Sequence, residues 1–122
     1  MAAHYLDVLS RFADFDGRAS RAQFWSFLVV HAAVMVALGL ASAVLGVVLE
    51  MAWVAGSGVF ALYAALTFLP TLSAAARRLH DTGRSSFLLA LGAFLPLVLL
   101  LAWWMAQPGE PGPNRWGQPS AV

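Results

Sequence analysis

Residues 26–49 read SFLVVHAAVMVALGLASAVLGVVL, 24 residues in succession without a formal charge. At about 1.5 Å per residue, a helix of this length exceeds the roughly 30 Å of a bilayer's hydrocarbon. A helix that meets water needs a polar stripe, and this stretch is apolar on every side. It reads as a membrane span. Beyond Glu50 the chain is again uncharged from Met51 to Ala76, 26 residues, and later from Ser85 to Gln107, 23 residues. The predicted fold is therefore an all-α integral membrane protein with three transmembrane helices, at 21–49, 52–76 and 86–107. A soluble bundle with an apolar core competes with this reading, but Leu28–Leu49 and Leu88–Met105 leave no polar face for water. A cleaved secretory signal ending near Ala41–Ala43 is opposed by the length of the apolar run and by the charged stretch before it.

The composition points the same way. Of the 122 residues, 61% are hydrophobic and 11% charged, where a soluble domain carries charge on about a quarter. The apolar excess excludes disorder. A net charge of +1 is too weak a field to suggest a nucleic-acid partner. With no cysteine there is no disulfide framework, thiolate metal site or cysteine nucleophile.

The charges are grouped. Asp7, Arg11, Asp14, Asp16, Arg18 and Arg21 precede the first span, Arg77, Arg78, Asp81 and Arg84 follow the second, and Glu110 and Arg115 follow the third. With three crossings, six arginines fall on one side and Arg115 on the other. Positive residues in short loops stay cytoplasmic, so the amino terminus is predicted inside and the carboxyl terminus in the periplasm.

Tyr5, Leu6, Val8, Leu9, Phe12 and Phe15 recur at three-to-four-residue spacing, which predicts an amphipathic helix over 1–16 at the membrane surface. Asp16 and Gly17 break it. Ser20 and Gln23 have the spacing of a capping box, placing the first spanning helix near Arg21. Trp53 is predicted near the outer interface. Gly39, Ala43 and Gly46 form a small-residue face suited to close helix contact, or are simply the small residues common in an alanine-rich helix. Pro70 and Pro96 are expected to bend the second and third helices. The 108–122 tail, with four prolines and three glycines between Pro108 and Pro119, is predicted irregular.

The loop predicted at 77–85 holds the richest chemistry. Arginine forks match phosphate oxygens, and Ser85 or Ser86 opens a helix whose free amides favour an anion. Arg18, Arg21, Arg77, Arg78, His80, Arg84 and Ser85 are therefore the candidate binding residues for a lipid phosphate or a partner. Gly17, Ser20, Asp81 and Gly83 are read as a structural polar cluster, with Asp81 bridging to Arg18 or Arg21. A simpler role for the arginines is topological anchoring, with Asp81 pairing to Arg77, Arg78 or an amino-terminal arginine. His80 beside Asp81 is a poor catalytic pair, because adjacent helical residues face apart. His4, His31 and His80 lack the spacing of metal ligands, so no metal and no cofactor are predicted. His31 lies within the first span, where an ionisable group is a functional candidate.

Three stretches taken together, Phe15–Trp25 (FDGRASRAQFW), Ala76–Ser86 (ARRLHDTGRSS) and Asn114–Pro119 (NRWGQP), resemble the small bacterial inner-membrane family numbered 805 among the domains of unknown function. The resemblance spans about Leu9 to Pro119. It rests on Gly17, Arg18, Ser20, Arg21, Phe24, Trp25, Arg77, Arg78, Leu79, His80, Asp81, Gly83, Arg84, Ser85, Asn114, Arg115 and Gly117. Trp116 stands where the family usually has Tyr or Phe, and Gln118 where it has an acid. The resemblance implies an inner-membrane location and carries over no catalytic residues.

The expected function is a non-enzymatic membrane module binding anionic lipid or a partner through the arginine cluster, with self-association as a further possibility. A small transporter or channel subunit using His31, Pro70 and Pro96 is the alternative, opposed by the lack of polar groups within the spans. An enzyme acting on lipid headgroups through His80 and Asp81 ranks last.

Overall fold

A computed structural model describes residues 2–50 and 52–119, with residues 52–56 described by backbone alone. The predicted place of Trp53, and residues 120–122 of the tail, lie outside the described residues. The chain forms helices α1 (Ala2–Ser10), α2 (Arg21–Leu49) and α3 (Ala52–Asp81), a 3₁₀ segment over Ser86–Ala93, and α4 (Leu95–Ala106).

Helix α1 is shorter than the sequence predicts. Arg11 donates through Nε and Nη2 to Asp14 Oδ2, and Asp14 Oδ1 accepts from the Asp16 amide at 3.2 Å. These local bonds compete with the helical ladder and end it at Ser10. Gly17, at φ +85°, then turns the chain in a conformation open to glycine. At Ser20 a full capping box starts α2, with Gln23 N donating to Ser20 Oγ at 3.1 Å and Ser20 N donating to Gln23 Oε1 at 3.0 Å.

Helices α2 and α3 form a long hairpin, and both contain stretches long and apolar enough to cross a membrane, Arg21–Leu49 and Ser57–Asp81. Much of their surface is bare hydrocarbon, with Val47 84% exposed and Val36, Leu40, Val44, Leu62, Leu66 and Phe68 also exposed. A Cβ at Gly39 would make only ordinary contact with Phe60, at 3.8 Å, so the small-residue face does not bring the backbones closer there than alanine would allow. His31 is tied across the hairpin, its Nδ1 hydrogen-bonded to Tyr63 Oη at 3.1 Å and its ring stacked between Phe27 and Tyr63. Tyr63 in turn bonds Tyr5 Oη, which docks α1 on the pair. Near Pro70 the side chains of Thr67, Thr71 and Ser73 donate to the carbonyls of Tyr63, Thr67 and Pro70, so these hydroxyls are satisfied within the helix itself.

The third apolar segment departs from the sequence reading. It is no single helix over 86–107. The 3₁₀ run ends at Phe94, an extended residue at φ −112° and ψ 115°, and Pro96 stands in the first turn of α4. Proline disfavours a helical residue before it and suits a helix start, so Pro96 opens a new helix where a bend was expected. The two limbs fold back on each other. Gly92 lies against Leu101, and the Arg84 guanidinium, just before the first limb, stands 5.2 Å from the Trp104 ring near the end of the second. Each limb is about 16–18 Å long, roughly half a bilayer core. Consequently the tail lies beside the start of α2 and the end of α3, whereas the three-span reading puts it at the opposite end of the molecule.

Candidate functional site

Helix α3 carries through Asp81, so Arg77 to Asp81 are helical and only Thr82–Ser85 remain of the loop predicted at 77–85. Helical spacing places Arg78 and Asp81 on one face. A Schellman motif closes the helix: Arg84 N donates to Leu79 O at 2.9 Å and Gly83 N to His80 O at 3.0 Å, with Gly83 at φ +79°.

Asp81 lies between two buried guanidiniums. Its Oδ1 accepts from Arg18 Nε at 2.9 Å and its Oδ2 from Arg78 Nη1 at 2.6 Å, and neither arginine side chain is accessible. One carboxylate cannot balance two cations. Backbone carbonyls complete the coordination. Arg18 donates to the carbonyls of Glu110 (2.6 Å), Gly112 (2.7 Å), Asp81 (3.3 Å) and Gly117 (3.4 Å). Arg78 donates to those of Met105 (2.7 Å), Ala19 (3.0 Å) and Gln107. Two of these belong to the C-terminal end of α4, whose dipole favours a cation. The knot thus stitches the Gly17–Ser20 segment, the end of α3, α4 and the tail into one unit. The Glu110 amide adds a 2.7 Å bond to Asp81 O.

The remaining sequence-predicted residues are distributed unevenly. Arg77 is buried, donating through Nε to Ser73 O at 3.4 Å, and its Nη2 meets no partner among the described residues. His80 is buried, with Nδ1 donating to Gly17 O at 3.0 Å and its ring stacked on Trp116 at 4.3 Å and 4°. Arg21 is exposed on the first turn of α2, outside the Asp81 pairing. Arg84 covers Trp104, and Ser85 Oγ accepts from Phe87 N at 3.3 Å. The phosphate role foreseen for Arg18 and Arg78 is revised, because both side chains are inaccessible and all of the Arg18 donors and all but one of the Arg78 donors are spent on the protein's own acceptors.

An open cavity of about 320 Å³ lies beside the knot, lined by Gly83, Ser85, Glu110, Asn114, Arg115 and Trp116. Asn114 organises its floor. Its amide Nδ2 donates to His80 O at 2.9 Å and to Glu110 Oε2 at 2.8 Å, while its Oδ1 accepts from Trp116 N at 3.0 Å. Paired backbone bonds between Asn114 and Gly117 tighten the turn. The Arg115 guanidinium lies 4.3 Å from the Trp116 ring centre. The lining brings a carboxylate, a guanidinium and a hydroxyl to one surface.

Sequence reasoning named Ser85 and Gly83 among the lining residues and missed Glu110, Asn114, Arg115 and Trp116 as part of a site. The signal was present, since Asn114–Pro119 is one of the three motif stretches. Its supposed position across the membrane from the other two concealed the link.

The family described as "Protein of unknown function (DUF805)" matches residues 12–118. Inner membrane protein YhaI of Escherichia coli (strain K12) is 38% identical over 115 residues, covering 93% of this chain and 91% of that protein. Inner membrane protein YhaH of the same organism is 37% identical over 118 residues, covering 93% and 92%. No solved structure matches the chain.

Proposed function

The chain belongs to the DUF805 family, and from that footing we propose that it is a non-enzymatic inner-membrane module that binds the phosphate of a lipid headgroup at its polar end. The location follows the names of its relatives, both inner membrane proteins. In this reading α2 and α3 cross the bilayer, residues 86–106 form a re-entrant hairpin, and the amino-terminal segment and tail share the cytoplasmic side. All seven arginines then face the cytoplasm, a stronger positive-inside bias than three crossings allow. A periplasm-dependent enzyme fused after Val122 should be inactive, while a fluorescent protein fused there should be bright. The reverse pattern overturns the topology.

The observation that carries the function is the open cavity with Ser85 and Arg115 on its wall, at the mouth of the hairpin. Backbone held by the arginine knot and Asn114 surrounds it, so binding needs little ordering of the protein. Phe87, 89% exposed, and the exposed Leu95 and Trp103 offer apolar surface along the hairpin for acyl chains. Native mass spectrometry of the full chain extracted in mild detergent tests this. Phospholipid should be retained by the unsubstituted protein and by Arg21→Gln, and reduced about tenfold by Arg115→Gln, the loss of one charge-assisted hydrogen bond. Equal retention by both variants rejects the reading.

A further inference from the structure

The cavity wall carries opposite charges that do not neutralise each other. Glu110 and Arg115 both line it, yet neither takes part in an ion pair among the described residues. Glu110 Oε2 accepts from Asn114, whereas Oε1 lies over Gly83 without a hydrogen-bond donor among the described residues. The Arg115 guanidinium carbon lies over the Trp116 ring, and its N–H donors make no hydrogen bond among the described residues. Ser85 Oγ has accepted a backbone N–H, so its own hydrogen can be donated elsewhere. Glu110, Arg115 and Ser85 therefore line one cavity, each with hydrogen-bonding capacity unused among the described residues.

A purely anionic ligand would use the guanidinium and hydroxyl but would stand against Glu110. A purely cationic one would use Glu110 and stand against Arg115. Resting on the lipid-phosphate reading above, we infer that the cavity binds a zwitterionic phosphoethanolamine group, its phosphate taken by Arg115 and Ser85 and its primary ammonium by Glu110 Oε1. The volume, about 320 Å³, lies at the lower end for small-ligand sites and suits a headgroup whose tails stay outside. A quaternary ammonium fits less well. It donates no hydrogen bond and is usually held by free aromatic faces, and Trp116, the single aromatic residue lining the cavity among the described residues, is already covered by His80 and Arg115.

The test uses the full chain in detergent, with added phosphatidylethanolamine, phosphatidylcholine or phosphatidylglycerol, and bound lipid counted by native mass spectrometry. Phosphatidylethanolamine should be retained at least about tenfold more tightly than the other two, one charge-assisted hydrogen bond's worth. Glu110→Gln keeps the acceptor for Asn114 and should reduce the preference to within about threefold, because its neutral amide leaves phosphate binding in place while weakening the ammonium contact. Soluble glycerophosphoethanolamine at millimolar concentration distinguishes the source: displacement of the lipid shows that the headgroup alone is recognised, and no displacement shows that the acyl chains are required. If phosphatidylglycerol is held as tightly as phosphatidylethanolamine, or Glu110→Gln leaves the preference unchanged, the zwitterion inference fails while the lipid-phosphate reading stands. If none of the three lipids is retained, both fail.

Discussion

Asp81→Asn lowers the stability of the protein in detergent by about 3–5 kcal/mol, the cost of removing one partner from a buried charge cluster. The substitution is nearly isosteric, so packing around it is preserved and the effect is electrostatic. Arg18 and Arg78 would face each other across a neutral amide with their side chains wholly buried. An amide can accept through one oxygen only, and its NH₂ would point a donor at one of the two guanidiniums. The measurement is thermal or denaturant unfolding of the purified protein, with protease sensitivity of the tail as a second readout. Because Asp81 joins the amino-terminal motif to the segment that carries the tail, cleavage between Pro108 and Pro119 should accelerate together with the loss of stability. An unfolding midpoint within error of the unsubstituted protein would show that the carbonyls alone balance the two cations.

Gly109→Ala destabilises by about 3 kcal/mol, the upper part of the range for overpacking. A Cβ at this position would overlap Asp81 Oδ2 and lie 2.7 Å from its Cγ and 3.0 Å from its Oδ1. The carboxylate cannot retreat without breaking its bonds to Arg18 and Arg78, and the tail cannot retreat without withdrawing the Glu110 and Gly112 carbonyls from Arg18. Gly112→Ala is the matched control, because a Cβ there meets nothing within 4 Å, and a change within about 0.5 kcal/mol is expected. Equal behaviour of the two variants would mean that the cost arises from backbone freedom in the tail and that crowding at Asp81 plays no part.

Residue type alone revealed much of the long hairpin. Ser20 and Gln23 mark the start of α2 because capping chemistry is local, and Glu50 marks the turn because a lone charge between apolar runs has few other places to be. The third apolar segment was misread for an equally physical reason. Twenty-three uncharged residues satisfy the length of a crossing and equally of two half-length limbs, and nothing in a count separates them. Pro96 was the available signal, since a proline opens a helix at least as readily as it bends one. From that error the displacement of the tail followed, and with it the failure to group Asn114–Gly117 with Arg77–Ser85. The burial of the arginines was less accessible still. Arg78 and Arg84 look alike in sequence, and only the position of surrounding carbonyls, a property of the folded backbone, makes one a structural cation and leaves the other at the surface.

The knot also imposes an order of assembly. The tail carbonyls that satisfy Arg18 lie 92 to 99 positions further along the chain, and those of α4 and its C-cap that satisfy Arg78 lie 27 and 29 positions further. In the proposed topology, helices α2 and α3 can enter the bilayer as a pair while these acceptors are still unmade. During that interval both guanidiniums must be satisfied by other partners, and their burial can proceed only after the 86–106 segment has doubled back. The polar end is therefore the last part of the molecule to close, and the completed fold reports that translation has passed residue 117.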